Sequence, residues 1–277
     1  GRPYLDGFIW LVLPDDDSQV TGLANGEIDV MKNVNSVDMA SRISEIPGVT
    51  IYTTLGNFTY AMFFNQERYE PLQDIRVRQA IAMALDKEVI MPTVIGAPNA
   101  DQIFNPGYWG YSPNANILPY DPDGAIALLT EAGWTDTDGD GIVDKGGENL
   151  SITAITERTE LPEALQGYLA TVGIDLQITE VERAVRRELT KSGEWDAYIG
   201  WDGSGVPFSA FMYNWVSGKW SNYDNPDLDT LVFGADAETN PDVRAQMVQD
   251  AVDILVDDTA AVWLYYYTAR IAVSDNI

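Results

Sequence analysis

The apolar positions of this chain fall into two rhythms: short runs that alternate or are unbroken, and longer stripes at helical spacing. Phe8 to Leu13 reads FIWLVL, an unbroken apolar run that predicts a buried strand. Asp15-Asp16-Asp17-Ser18 then supplies N-cap chemistry for a short helix ending near Gly26. Ile28 to Met31 and Val49 to Thr53 read as further strands. Tyr60 to Asn65 (YAMFFN) is a dense apolar strand that stops abruptly in polar residues.

Beyond that point helices and strands alternate. Asp74 caps a helix in which Ala80, Ile81, Ala84 and Leu85 recur at helical spacing. Asp121-Pro122 opens another, with Ala125, Leu128, Leu129 and Ala132 as its buried stripe and Gly133 closing it. Leu150 to Ile155 is a strand, Thr159 to Val172 a helix stopped by Gly173, and Ile174, Leu176 and Ile178 alternate as in a half-buried strand. A short helix around Arg183 to Lys191 precedes a second alternation, Trp195, Ala197, Ile199 and Trp201. Asn240-Pro241 starts the last helix, with Val243, Met247, Ala251 and Leu255 on one face. This β-α-β-α-β order predicts an α/β fold with a mixed, mainly parallel sheet flanked by helices. Ligands bind such sheets beyond the carboxyl ends of the strands, so the candidate positions lie just past Ile155 and Ile199.

Composition narrows the chemistry. The 277 residues carry 43 Asp and Glu against 16 Lys and Arg, a formal net charge of −27. Such a surface repels nucleic-acid phosphates and anionic membranes, so no nucleic-acid partner is expected, and it suits a salty medium. With no Cys and no His there are no disulfides, thiolate nucleophiles or imidazole bases, nor the usual zinc and haem ligands. No apolar run approaches the roughly 18 residues that span a bilayer, and no signal peptide is visible. Paired carboxylates run glycoside hydrolysis, but 43 acids make any chance pair uninformative. Gly203-Ser204-Gly205-Val206 is not the Gly-x-Ser-x-Gly of nucleophilic hydrolases. No enzyme is expected.

One loop has metal-ligand spacing. Asp136-Thr137-Asp138-Gly139-Asp140-Gly141-Ile142-Val143-Asp144 places oxygen ligands at positions 1, 3 and 5, Gly at 6 and an acid at 9 of a calcium loop. Position 12, where a bidentate Glu belongs, is Gly147, and Glu148 comes one residue late. Asp136, Asp138, Asp140 and Asp144 are therefore candidate ligands for a structural Ca2+; no cofactor is required. The plain alternative is a solvated acidic turn.

Four segments in order resemble the solute-binding proteins of ABC importers, family 5, which includes peptide, nickel and oligosaccharide binders. They are PYLDGFIWLVLPDDDSQVTGLANGEIDV (3–30), LQDIRVRQAIAMALDKEVI (72–90), YDPDGAIALLTEAGWTDTDGDGIVD (120–144) and YDNPDLDTLVFGADAETNPDVRAQMVQDAVDILVDDTAAVWLYYY (223–267). The resemblance implies a two-lobed clamshell of about twice this length, with a periplasmic-binding-protein-like type II lobe here. Residues 1–65 would be a remnant of the first lobe and a hinge strand, 66–260 the second ligand-binding lobe, and 261–277 the return hinge strand. It also implies hinge closure on a small solute, delivery to a membrane permease, a monomer, and a location in the periplasm or lipid-anchored at the outer face.

The resemblance also bears on ligand residues. In peptide-binding relatives a segment like Gly-Trp-x-x-Asp supplies a carboxylate for the peptide amino group. Here the matching run is Gly200-Trp201-Asp202-Gly203-Ser204, so the anchoring position holds Ser204. That departure leaves a short peptide and an oligosaccharide both open. Trp201 and Asp202 sit at the end of their strand, and Arg158 just past Ile155 suits a ligand carboxylate or an ion pair with Glu157 or Glu160. Phe208, Phe211, Tyr213, Trp215 and Trp220 form an aromatic stretch from which Phe208 and Trp215 are candidate ligand platforms. A calcium-stabilised adhesion module is the alternative of another class.

The charge balance has a direct consequence for stability. Salt screens self-repulsion among acids, shrinking the Debye length to about 3 Å at 1 M. The thermal midpoint is expected to rise between low salt and about 1 M NaCl; a flat or falling midpoint would contradict a surface dominated by acid–acid repulsion.

Overall fold

A computed structural model describes residues 6–34, 36–202, 212–219 and 221–277. The chain divides into two compact units, one of residues 1–54 with 268–277 and one of 55–267.

In the smaller unit, α1 (Asp16–Ala24) is capped by Asp15, whose carboxylate accepts from the Ser18 amide. α2 (Val37–Ser44) is capped by Ser36 in the same way, at Met39. The two-residue strand β1 (Val30–Met31) pairs antiparallel with Val273 and Ala272. Val20, Leu23, Met31, Val34, Met39, Ile43 and Ala272 make a small core. The FIWLVL run departs from expectation. It forms no strand, and Ile9 and Val12 are 84 % and 81 % exposed. A strand needs a neighbour for its backbone as well as apolar side chains, and no described strand pairs with this run.

The larger unit is built on a mixed sheet of order β8-β2-β7-β5-β6. β2 (Val49–Phe64) and β8 (Ala261–Ser274) are long strands that run on into the smaller unit. β5 (Ser151–Thr156), β6 (Asp175–Glu180) and β7 (Ala197–Asp202) are parallel, and β2 pairs antiparallel with β7. Residues 49–53 and 60–65, read as separate strands, are one continuous β2 up to Phe64. The units divide at 54/55 and 267/268. The reason is burial: Tyr60 to Phe64 and Ala261 to Tyr266 fill both cores of the larger unit.

Those cores lie on opposite faces of the sheet. Tyr60, Met62 and Phe64 enter one with Ala197 and Ile199; Ala61 and Phe63 enter the other with Tyr198. α3 (Ile75–Met83), α5 (Pro122–Glu131) and α6 (Glu160–Ala170) contribute to the first core. The short α4 (Lys87–Ile90) also joins it. α8 (Pro226–Ala237) and α9 (Pro241–Asp257) cover the second. α2 and α8 were not anticipated from the sequence pattern. The predicted caps are in place at Asp74, Asp121 and Asn240, each accepting a backbone N–H of the first turn. Arg78, 4 % exposed, donates to the carbonyls of Leu72, Gln73, Asp258 and Thr259, tying the start of α3 to the end of α9.

A small hairpin, β3 (Asp144–Lys145) with β4 (Glu148–Asn149), turns through Gly146 and Gly147, at φ +66° and +86°. Between β6 and β7 lies α7 (Arg183–Ser192), most of whose side chains are exposed.

Gly200 in β7 is a point of close approach, because a Cβ there would fall on the Tyr198 side chain, which lies across it. Tyr198 in turn stacks on Phe63 at 5.6 Å between ring centroids. Gly200→Ala is expected to cost about 1–3 kcal/mol in urea unfolding by overpacking. A change within about 0.5 kcal/mol would show that Tyr198 has room to move.

Candidate functional site

The parallel strands β5 and β7 end on the same edge of the sheet, and antiparallel β2 enters the sheet there. The β2–β7 register sets Tyr60 opposite Trp201 and Thr59 opposite Asp202. Half-buried Trp201 is met edge-on by Tyr60 (4.9 Å), Tyr265 (5.5 Å) and Tyr267 (5.6 Å). Tyr60 and Tyr265 stack at 4.9 Å. Gly56 makes room for Tyr267: a Cβ there would lie 2.6 Å from the Tyr267 ring. The result is an aromatic nest at the carboxyl edge. The Tyr60 hydroxyl donates to the Ile199 carbonyl at 3.3 Å.

Arg158 reaches this edge through a local turn. The buried Thr156 hydroxyl donates to the Arg158 carbonyl (2.7 Å) and accepts from the Arg158 amide (3.2 Å), turning the chain as β5 ends. Glu157 is claimed by Arg186, at 3.0 Å. The exposed Arg158 has no ion pair with Glu157 or Glu160. Its charge is felt at the nest. Burial pushes the Tyr60 hydroxyl above the ordinary tyrosine range, while a hydrogen bond with Thr156 and the Arg158 cation pull the other way. Tyr265 is also raised, mainly by burial and by neighbouring Tyr60, with Arg158 again opposing.

The other sequence candidates divide. Asp202 ends β7, and its side chain lies outside the described residues, as do Ser204, Phe208, Phe211 and Trp220. Trp215 is not at the edge. It is 1 % exposed in the second core, against Phe63 (5.8 Å), Trp263 (5.5 Å) and Tyr223 (6.1 Å). Two rings from distant parts of the chain, Phe63 and Trp263, and nearby Tyr223 leave it no surface for a ligand. Tyr60, Tyr265 and Tyr267 were not singled out for this edge. Their signal was the Tyr at the start of YAMFFN and the run of three in VWLYYY.

In the acidic loop, carboxylate oxygens of Asp136, Asp138 and Asp144 lie within 4.8 Å of one another. Ligands sharing one Ca2+ at 2.3–2.6 Å are at most about 5 Å apart, so these three fit a common ion. Asp140 stands apart, accepting from the Ile142 amide (2.8 Å) and the Asn149 side chain (3.2 Å). Asp144 is held below the usual carboxylate range by the Thr137 hydroxyl and amide. Position 12 is Gly147, at the hairpin turn, so no bidentate Glu completes the set.

Residues 1–223 match the family described as bacterial extracellular solute-binding proteins, family 5 Middle. The chain belongs to this family. Family 5 proteins are binding proteins rather than enzymes, and they act outside the cytoplasm. The oligopeptide-binding protein AppA of Bacillus subtilis is 28 % identical over 295 residues, covering 100 % of this chain and 53 % of its own. The dipeptide-binding protein of Escherichia coli is 25 % identical, covering 96 % of this chain and 51 % of its own. The structure of Bacillus subtilis AppA in complex with a nonapeptide superposes with a TM-score of 0.80 at 26 % identity, covering 96 % of this chain and 55 % of that one. This chain therefore spans about half the length of these relatives. The fold is that of a type II periplasmic-binding protein. Among the described residues no helix is long and apolar enough to cross a membrane.

Proposed function

We propose that the protein is the substrate-binding component of an ABC importer, capturing a short peptide or similar small solute and delivering it to a membrane permease. The observation that carries this reading is the family match over residues 1–223, with relatives named for oligopeptides and dipeptides. The protein works as a monomer by binding and closure, without covalent chemistry, either free in the periplasm or lipid-anchored at the outer face. The solute meets the carboxyl edge of the larger unit, where half-buried Trp201 and Tyr267 offer apolar surface, backed by buried Tyr60 and Tyr265. Arg158, with no ion pair among the described residues, takes a carboxylate of the solute through paired hydrogen bonds. An oligosaccharide is the alternative solute, since aromatic faces also suit sugars and Ser204 stands where peptide-binding relatives are expected to carry an acid.

The test is a thermal-shift screen of the full-length protein against short peptides and neutral oligosaccharides, followed by titration calorimetry. Peptides are expected to raise stability by roughly 3–4 kcal/mol at a hundred to a thousand times their Kd. Arg158→Gln should weaken peptide binding about ten- to a hundredfold, the loss of a charged hydrogen-bond pair. A response to oligosaccharides with none to peptides would reassign the solute.

A structural Ca2+ at Asp136, Asp138 and Asp144 is proposed as well, on the convergence of their carboxylates. Added calcium is expected to raise the melting midpoint relative to chelator, and Asp136→Asn with Asp138→Asn to abolish the difference. Identical melts would discard the ion. A chain folded only with calcium would instead favour an adhesion module.

A further inference from the structure

The few cations of this acidic chain are unevenly spread. Four of the sixteen basic residues, Arg183, Arg186, Arg187 and Lys191, fall within α7, beside one acid, Glu188. Arg186 turns inward, bonding Glu157 and lying over the Tyr198 ring at 5.3 Å. Arg183, Arg187 and Lys191 follow at i, i+4 and i+8, which lines them up in a stripe about 12 Å long. All three are exposed, and none makes an ion pair among the described residues, although the chain has 43 acids.

This arrangement works against the helix. Arg183 opens the first turn, where the helix dipole is positive, and the acid at that end, the N-cap Glu182, makes no side-chain capping hydrogen bond. Cations spaced at i, i+4 also repel one another. By contrast α1, α2, α5, α6, α8 and α9 all begin with acids. The fold thus keeps three exposed cations, flanked by Glu182 and Glu188 but without ion pairs among the described residues, on a molecule of charge −27.

We infer that the Arg183–Arg187–Lys191 stripe is a docking surface for a carboxylate-bearing face of a partner protein, the membrane permease; this rests on the importer reading. An anionic bilayer, a nucleic acid or a second copy of the chain would meet the acidic surface over a wide area. A protein face need touch only the stripe, and charges farther off than a Debye length, about 8 Å in physiological salt, are largely screened. Repulsion elsewhere then selects this face for contact, so the charge pattern sets the orientation of docking. α7 starts just after β6, at the carboxyl edge, and the Arg186–Glu157 bond joins it to the turn that carries Arg158. From there the stripe runs toward the opposite edge, where Asn65 donates to the Gly193 carbonyl just past Lys191, so the docking face starts beside the solute site at Arg183 and leads away from it.

The test uses the full-length protein with its permease reconstituted in phosphatidylcholine liposomes, reading solute-stimulated ATPase against binding-protein concentration. Arg187→Glu with Lys191→Glu should raise the half-saturating concentration by about tenfold or more at low salt and flatten its dependence on salt. Arg187→Gln with Lys191→Gln should give an intermediate shift. Solute affinity by calorimetry should stay within about twofold, as should half-saturation for the control Lys219→Glu, an exposed charge outside the stripe. Saturation of the permease by the double variant at the wild-type concentration would overturn the inference. So would loss, in that variant, of wild-type binding to permease-free vesicles containing anionic lipid, which would make the bilayer the occupant. A wild-type protein that binds no solute and stimulates no permease would sink the importer reading, and the docking surface with it.

Discussion

The candidate site depends on the pairing of β2 with β7, because the part of β2 that pairs there, from Thr59 to Phe64, is buried on both faces. Its alternate residues enter different cores, Tyr60, Met62 and Phe64 on one side and Ala61 and Phe63 on the other. A slip of one residue would exchange the two sets, placing the phenylalanines and Met62 in spaces shaped for other side chains. The register is thereby fixed, and it sets Trp201 opposite Tyr60. Gly200 belongs to the same constraint, since it gives Tyr198 the space to lie flat and reach Phe63. Packing inside the sheet therefore decides which rings appear at its edge.

Scarcity of positive charge makes each cation informative. Arg78 is buried under four backbone carbonyls and holds α3 to α9. Lys87, also largely buried, donates to the Ala100 carbonyl, Asp101 and the Trp263 carbonyl. Burial lowers its pKa while Asp101 opposes the shift. Arg186 is shared between Glu157 and the Tyr198 ring. These have structural duties visible in their partners. Arg158 and the α7 stripe have no ion-pair partners among the described residues despite the excess of acid, and Arg158 and the Arg183 end of the stripe lie toward the carboxyl edge.

Much of the fold was legible because its signals are local. Caps at Asp74, Asp121 and Asn240 depend on a few neighbouring residues, and the glycine stops at Gly133 and Gly173 fall at φ +89° and +80°. The parallel order followed from alternation of period. What failed were readings that depend on distant partners. FIWLVL has the composition of a strand but no described strand beside it. Trp215 reads as a platform in an aromatic stretch, yet Phe63, Tyr223 and Trp263 enclose it. At the candidate site, the strand ends alone put Trp201 and Arg158 at the edge of the sheet, whereas the tyrosine nest needed the β2–β7 register, which no sequence window contains.

The electrostatics of that edge bear on what it selects. A protein of charge −27 repels an approaching anion and draws in cations and zwitterions whose positive end leads. A recognition site that relied on another carboxylate would add little discrimination, since negative potential is already general. A lone guanidinium on a rigid turn is different. Thr156 holds the Arg158 backbone on both sides, and Arg186 occupies Glu157, the adjacent acid. The cation thus stays available to pair with an anionic group that reaches it, while the bulk field opposes solutes that are anionic overall. A zwitterion satisfies both conditions, its positive end favoured by the field and its carboxylate by Arg158. Under the proposed function, local charge at the edge and global charge on the surface favour the same class of solute, one with separated charges and apolar surface for the aromatic nest.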